Sequence, residues 1–183
     1  MNIKKIAACV LCIALCCSMF GGCSQKSYDF RCGSWGDSPK EVSKAEDTEY
    51  VYASDDLVEF LDTAYDKDAE IIYVFENGGL SEGQIKFYVS DWILEDVMAD
   101  FETTAAEMTE EFGEPVNSDY RIWDTEHENY AEHKDDGDKY GIYYHILEYK
   151  LEWNDGTTLR TLTLNYKDEQ INYLFNASPV SAG

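Results

Sequence analysis

The sequence predicts an α+β fold, an antiparallel sheet with its helices packed on one face. Two observations carry that expectation. Short runs that alternate apolar and polar residues are joined by tight-turn signals, Asn77-Gly78-Gly79 and Asn154-Asp155-Gly156 among them. Strands joined so closely run antiparallel, because a parallel neighbour needs a long crossover. Between two sets of such runs, Asp91 to Phe112 switches to a three- and four-residue apolar spacing, the period of one long helix.

In chain order, Ser38-Pro39-Lys40-Glu41 opens a short helix, about Pro39 to Glu46. Ser38 can cap it, Pro39 takes the first helical position and Glu41 completes a capping box. Leu57–Tyr65, Glu70–Glu76 and Gln84–Val89 read as extended, and in the last Ile85, Phe87 and Val89 alternate with Lys86 and Tyr88. In the long helix Leu94, Val97, Met98, Phe101, Ala105, Met108 and Phe112 form one stripe, which Gly113 and Pro115 end. Its methionines read as core filler.

A short strand near Tyr120–Trp123 and an acidic loop come next, then a long strand, Tyr140–Trp153. In its second half Leu147, Tyr149, Leu151 and Trp153 face one way and Glu148, Lys150 and Glu152 the other. Asn154-Asp155-Gly156 turns it into Thr157–Tyr166, and Lys167-Asp168-Glu169 turns that into Ile171–Phe175. In Thr157–Tyr166 the apolar phase changes from Leu159 to Leu162, Leu164 and Tyr166, which predicts a bulge or an end of pairing near Arg160. The order of elements repeats. Two tandem helix-then-strands units, about 30–89 and 91–176, make up a domain spanning 30–176, with 177–183 as a flexible tail.

The first 26 residues have a different character. Lys4 and Lys5 form a positive head, Ile6 to Phe20 an apolar run, and Gly21-Gly22-Cys23 closes it. That is the order of a secretory signal, and the run of 15 residues falls short of the roughly 20 that span a bilayer. No Ala-x-Ala-like site stands near position 22 for ordinary cleavage. Phe20-Gly21-Gly22-Cys23 resembles the lipobox of bacterial lipoproteins processed by signal peptidase II, with Phe20 where the pattern usually has Leu. The resemblance implies a signal peptide over 1–22, lipid modification of Cys23, and an anchor and tether over 23–29. A diacylglyceryl group would hold the chain stably to the membrane on its extracytoplasmic face. The six residues Ser24 to Asp29 keep the domain within about 20 Å of the lipid.

Composition narrows the partners. Without residues 1–22, the chain carries 12 basic and 37 acidic side chains, a formal charge of −25. Such a surface repels nucleic acid and anionic headgroups and keeps the domain soluble. Cys9, Cys12, Cys16 and Cys17 leave with the signal and Cys23 is alkylated, so Cys32 is the only remaining thiol and no internal disulfide forms. The core must stand without one, and a domain of this size can.

The repeated order of helix and strands, with Trp35-Gly36-Asp37-Ser38-Pro39-Lys40-Glu41-Val42 and Phe112-Gly113-Glu114-Pro115, resembles small exported bacterial lipoproteins of tandem helix-plus-sheet modules. The beta-lactamase-inhibitor-protein and BamE (SmpA)-like folds are the nearest. The resemblance implies a fold, and less directly a protein-binding role.

Motifs for chemistry are incomplete. Cys32-Gly33-Ser34-Trp35 has Trp35 where a papain-like protease has its nucleophilic cysteine, which leaves Cys32 a small, partly buried side chain. His127 and His133 lie among Glu126, Glu128 and Glu132, but Ala131 occupies the second histidine position of a zinc-protease helix. Asp66, Asp68 and Glu70 alternate like calcium ligands, with Ile71 where the loop needs glycine; Asp135, Asp136 and Asp138 form an acidic turn around Gly137. Nucleophile elbow, phosphate loop and dinucleotide fingerprint are all missing from the sequence. The expectation is no enzyme, no cofactor and no metal site. Tyr140, Tyr143, Tyr144 and Tyr149 cluster on the expected long strand, where they either fill both faces or present an aromatic surface to a protein, peptide or glycan. The functional expectation is a lipid-anchored binding module at the cell envelope. A small-ligand or calcium-binding lipoprotein is the alternative, and an envelope hydrolase comes third.

Overall fold

The computed structural model describes residues 28–46, 48–89, 93–117, 119–167 and 169–181. The expected signal, Cys23, most of the tether, the expected helix start at Asp91 and the turn residue Asp168 lie outside them. The elements run α1 (Pro39–Ala45), β1 (Tyr50–Ala53), β2 (Leu57–Ala64), β3 (Lys67–Glu76), β4 (Gly79–Phe87), α2 (Leu94–Phe112), β5 (Arg121–Trp123), α3 (Tyr130–His133), α4 (Asp138–Tyr143), β6 (Leu147–Asn154), β7 (Thr158–Lys167) and β8 (Gln170–Pro179). The eight strands form one antiparallel sheet in the order β1-β2-β3-β4-β8-β7-β6-β5.

Local chemistry accounts for the element ends. The Ser38 hydroxyl accepts from the Glu41 N–H, and the Glu41 carboxylate accepts from the Ser38 N–H, so α1 starts on a capping box. Gly113, at φ 86°, ends α2. Asn77 and Gly78, both left-handed, make the two-residue turn between β3 and β4. Tyr65 and Asp66, at φ 51° and 57°, do the same between β2 and β3.

One face of the sheet is the core. A buried row crosses six strands through Phe60, Ile71, Ile85, Phe175, Leu162 and Leu151. Val42 of α1, Val97, Phe101 and Met108 of α2 and Ile142 of α4 join the same cluster. The helices therefore cover one face, as their apolar stripes require. The segment before α1 crosses that face too. Phe30 lies over the bare Cα of Gly83, edge-on to Tyr73 and stacked on Phe175.

Four expectations are corrected. The long strand Tyr140–Trp153 is a helix and then a strand: α4 takes Tyr140 and Tyr143, and β6 begins at Leu147. Gly141 explains this, since its missing side chain lets α4 sit on β5 and β6. A Cβ there would be 2.9 Å from Leu147 Cβ and 3.0 Å from the Trp123 ring. His145, at φ 61°, then reverses the chain into β6. Second, β7 pairs without a shift on both sides, so Arg160 marks no bulge. It occupies an inward position with Thr158, Leu162 and Leu164, at 8% exposure. Third, β8 runs on to Pro179 with Ala177 buried, so residues 177–179 are sheet and not tail, and the Val180 N–H still donates to the Thr157 carbonyl at 2.8 Å. Fourth, β1 is an additional strand, paired along β2.

Candidate interaction surface

The other face of the sheet carries no helix among the described residues. Because strand side chains alternate, the same pairing that builds the core row builds an outer row. Tyr52, Glu59, Ile72, Gln84, Asn176, Thr161 and Glu152 lie side by side across seven strands. Beside it run Leu61, Glu70, Lys86, Leu174, Thr163 and Lys150. Ion pairs tie part of this face together: Lys86 to Glu70 at 3.7 Å and Lys150 to Glu152 at 2.8 Å. Its centre is amides, threonines and aliphatic side chains, a surface that can hydrogen-bond and bury apolar area at once.

Of the four tyrosines, Tyr140 and Tyr143 are exposed on α4. Tyr144 is half-buried, stacked on His133 at 3.7 Å, with Tyr143 edge-on at 5.1 Å. Tyr149 is in the core, its hydroxyl donating to Asp138 at 2.6 Å under α4. Burial, then the Asp138 carboxylate, pushes its phenol pKa up. Tyr149 thus supports α4 and takes no part in a surface.

Cys32 is half-buried with its thiol 3.4 Å from the Tyr73 hydroxyl, which donates to Glu46; Glu46 accepts from Arg31 Nε at 3.1 Å. Burial pushes the thiol pKa up, away from what a nucleophile needs. His133 pairs with Asp136 at 2.8 Å, His127 Nδ1 accepts the Asn129 N–H at 3.2 Å, and His145 packs on Tyr166. Asp66 is a turn residue while Asp68 and Glu70 lie along β3. No group of three His, Cys, Asp or Glu side chains able to hold a metal ion occurs among the described residues.

Arg160 is the residue that sequence reasoning misplaced. It donates to Asp155 Oδ2 at 2.7 Å and to the Asp29 carbonyl at 3.2 Å, with its guanidinium 4.7 Å from the Phe112 ring centre. Trp35 fastens the same corner: its N–H donates to Asp29 Oδ2 at 2.9 Å and its indole to Thr158 Oγ1 at 3.0 Å. A cleft of about 390 Å³ opens between Arg160, Tyr65, Phe112 and residues 28–31. The Tyr65 hydroxyl donates to Glu111 at its side, at 2.9 Å. The available signal was the unbroken alternation Thr158, Arg160, Leu162, Leu164, visible only if a bonded arginine is allowed to face inward.

Against known proteins, the chain matches no family model, no curated protein and no solved structure.

Proposed function

We propose that this protein is a lipid-anchored interaction module of the bacterial cell envelope, fixed to the extracytoplasmic side of the membrane through Cys23 and binding a protein or peptide partner without catalysis. The observation that carries the reading is the outer sheet face. A purely solvated face would be polar along every strand, whereas this one sets Leu61, Ile72, Val74, Leu159 and Leu174 among its amides and threonines. Its breadth suits a macromolecule. Exposed Tyr140 and Tyr143 offer a second contact at the side of the domain. The reading includes two tandem helix-then-strands units, supported by the strand order: β1 to β4 and β5 to β8 each run inward to meet at β4 and β8.

Two experiments test it. Full-length Cys23→Ala is expected to leave the detergent phase in which the wild type partitions; equal partitioning refutes the anchor. A photo-crosslinking residue at Thr161 on the outer face is expected to trap a partner protein in envelope membranes, and one at Thr103 on the exposed side of α2 is not. Equal yields, or none, remove the outer face as the docking surface. The cleft at Arg160 favours a second reading, a small anionic ligand; a rise in melting temperature with millimolar carboxylates checks it.

A further inference from the structure

Four consecutive residues of β1, Tyr50-Val51-Tyr52-Ala53, are exposed, and the three large ones are 54%, 54% and 52% accessible. A strand covered on one face hides every second side chain; here neither parity is hidden. The strand has a neighbour on one side only, so its far edge presents main-chain groups that no strand of this sheet meets. Runs of three or four exposed apolar residues are removed from sequences unless they serve a function. Sheet edges are ordinarily guarded by charge, proline or a covering segment. β1 has no charge and no proline. Among the described residues its single guard is a bulge at Val51, where Tyr50 pairs with Phe60 but Tyr52 with Glu59, and this limits how long an added strand can be.

We propose that β1 is an acceptor edge for one extended segment of a basic partner protein, an apolar strand flanked by Lys or Arg. Main-chain hydrogen bonds would join it to the sheet as a ninth strand. Charge decides against the obvious competitor, a second copy of this chain. Glu49 precedes β1 and Asp55-Asp56 follow it. An antiparallel pair of β1 strands sets Glu49 of each copy near Asp55 and Asp56 of the other, and like charges across a ladder destabilise it. Lys or Arg at both ends of an incoming strand turns the same carboxylates into attraction. The proposal concerns the main-chain edge of β1, which borders the outer face at Tyr52, and does not depend on the anchor.

The test uses the full chain in detergent and a fluorescent peptide, Lys-Lys-Val-Thr-Val-Thr-Val-Lys-Lys, with a counterpart in which glutamates replace the lysines. Binding is read by anisotropy, and hydrogen exchange is followed at the amides of residues 50–53. The lysine-flanked peptide is expected to bind at least ~10-fold more tightly than its counterpart and to slow exchange at those amides. Val51→Pro places a proline and Tyr52→Lys a charge on the edge strand; each is expected to weaken binding ~10-fold, while the urea midpoint of the folded domain stays within that of a surface substitution. Equal binding of both peptides, or none, overturns the proposal. So does binding that leaves exchange unaltered and survives both substitutions, which would be attraction to net charge alone. Dimerisation abolished by Val51→Pro would make the occupant a second copy, and would overturn it as well.

Discussion

At one end of the sheet Trp123 of β5 packs edge-on to Tyr130 at 6.3 Å, the Asp124 N–H donates to the Ile146 carbonyl at 2.9 Å, and α4 lies against β6. At the other end Tyr50, Val51 and Tyr52 meet solvent. The chain accounts for the contrast. Between β5 and β6 it makes an excursion from Asp124 to Ile146 that folds as α3 and α4 and packs against Trp123. Between β1 and β2 it has only Ser54-Asp55-Asp56, whose hydrogen bonds stay inside the turn or reach the Phe75 N–H. Nothing in that turn can cover a strand. One edge has helices folded against its Trp123, although Ile122 there is still 47% exposed, and the other has only a short turn beside it.

Breaking the end that carries α3 and α4 should cost most. Trp153 of β6 is 1% exposed and lies edge-on to Phe112 at 6.2 Å. Trp153→Ala is expected to lower unfolding free energy by ~3–5 kcal/mol, because the transfer loss adds to the cavity it leaves. Urea denaturation measures it; a loss as small as that of a surface change would mean this end is not the packed one. Gly141→Ala should come next. The added methyl meets the Leu147 Cβ at 2.9 Å and the Trp123 ring at 3.0 Å, and overpacking of this kind costs ~1–3 kcal/mol. It should also lift α4 from β5, seen as a red shift in tryptophan emission.

A smaller effect compares one carboxylate from each half. For Asp155, burial raises the pKa, but the Arg160 guanidinium and the Thr157 and Thr158 groups outweigh it and hold the carboxyl far below its usual range. For Asp62 on β2, the Thr63 N–H and Arg31 lower it, against burial. A depressed folded pKa stabilises fully above the ordinary aspartate value of 3.8 and is lost as the pH falls below it toward the depressed value. Stability should therefore drop on acidification below about pH 4, and Asp155→Asn should flatten that limb. Asp155 is 46% exposed, so solvent screening keeps the contribution under ~1 kcal/mol.

How much of this was legible depended on which force placed each residue. The Asn77-Gly78 turn, the capping box at Ser38 and the stripe of α2 are local, and they stand where their chemistry predicts. The Tyr65-Asp66 turn carries neither glycine nor asparagine, so the expected stretches Leu57–Tyr65 and Glu70–Glu76 leave a wider gap than the two-residue turn between Ala64 and Lys67. Tyr140 to Tyr144 suit strand or helix equally well; the contact of Gly141 with Trp123 decides, and that contact is tertiary. Arg160 read as a break because its partners, the Asp29 carbonyl and the Phe112 ring, are distant in the chain. The surface was the least legible part. Alternation predicted Tyr149 correctly as one of the inward series with Leu147, while the two tyrosines that reach solvent do so from a helix.

The smallest effect is the sharpest test of the contrast. Tyr52 is 52% exposed at the edge, and no hydrogen bond or ring contact of its side chain is part of the described structure. Tyr52→Ser should therefore change unfolding free energy by no more than ~0.5 kcal/mol, the range of surface substitutions that touch no packed feature. A tyrosine there is not required by the fold, and serine would present less apolar area to water. Were Tyr52→Ser to destabilise by as much as Gly141→Ala, the edge would be part of the packed structure and the two ends of the sheet would be alike. A neutral result leaves Tyr50, Val51 and Tyr52 as apolar surface that folding does not explain, which is the condition for assigning that surface to a partner.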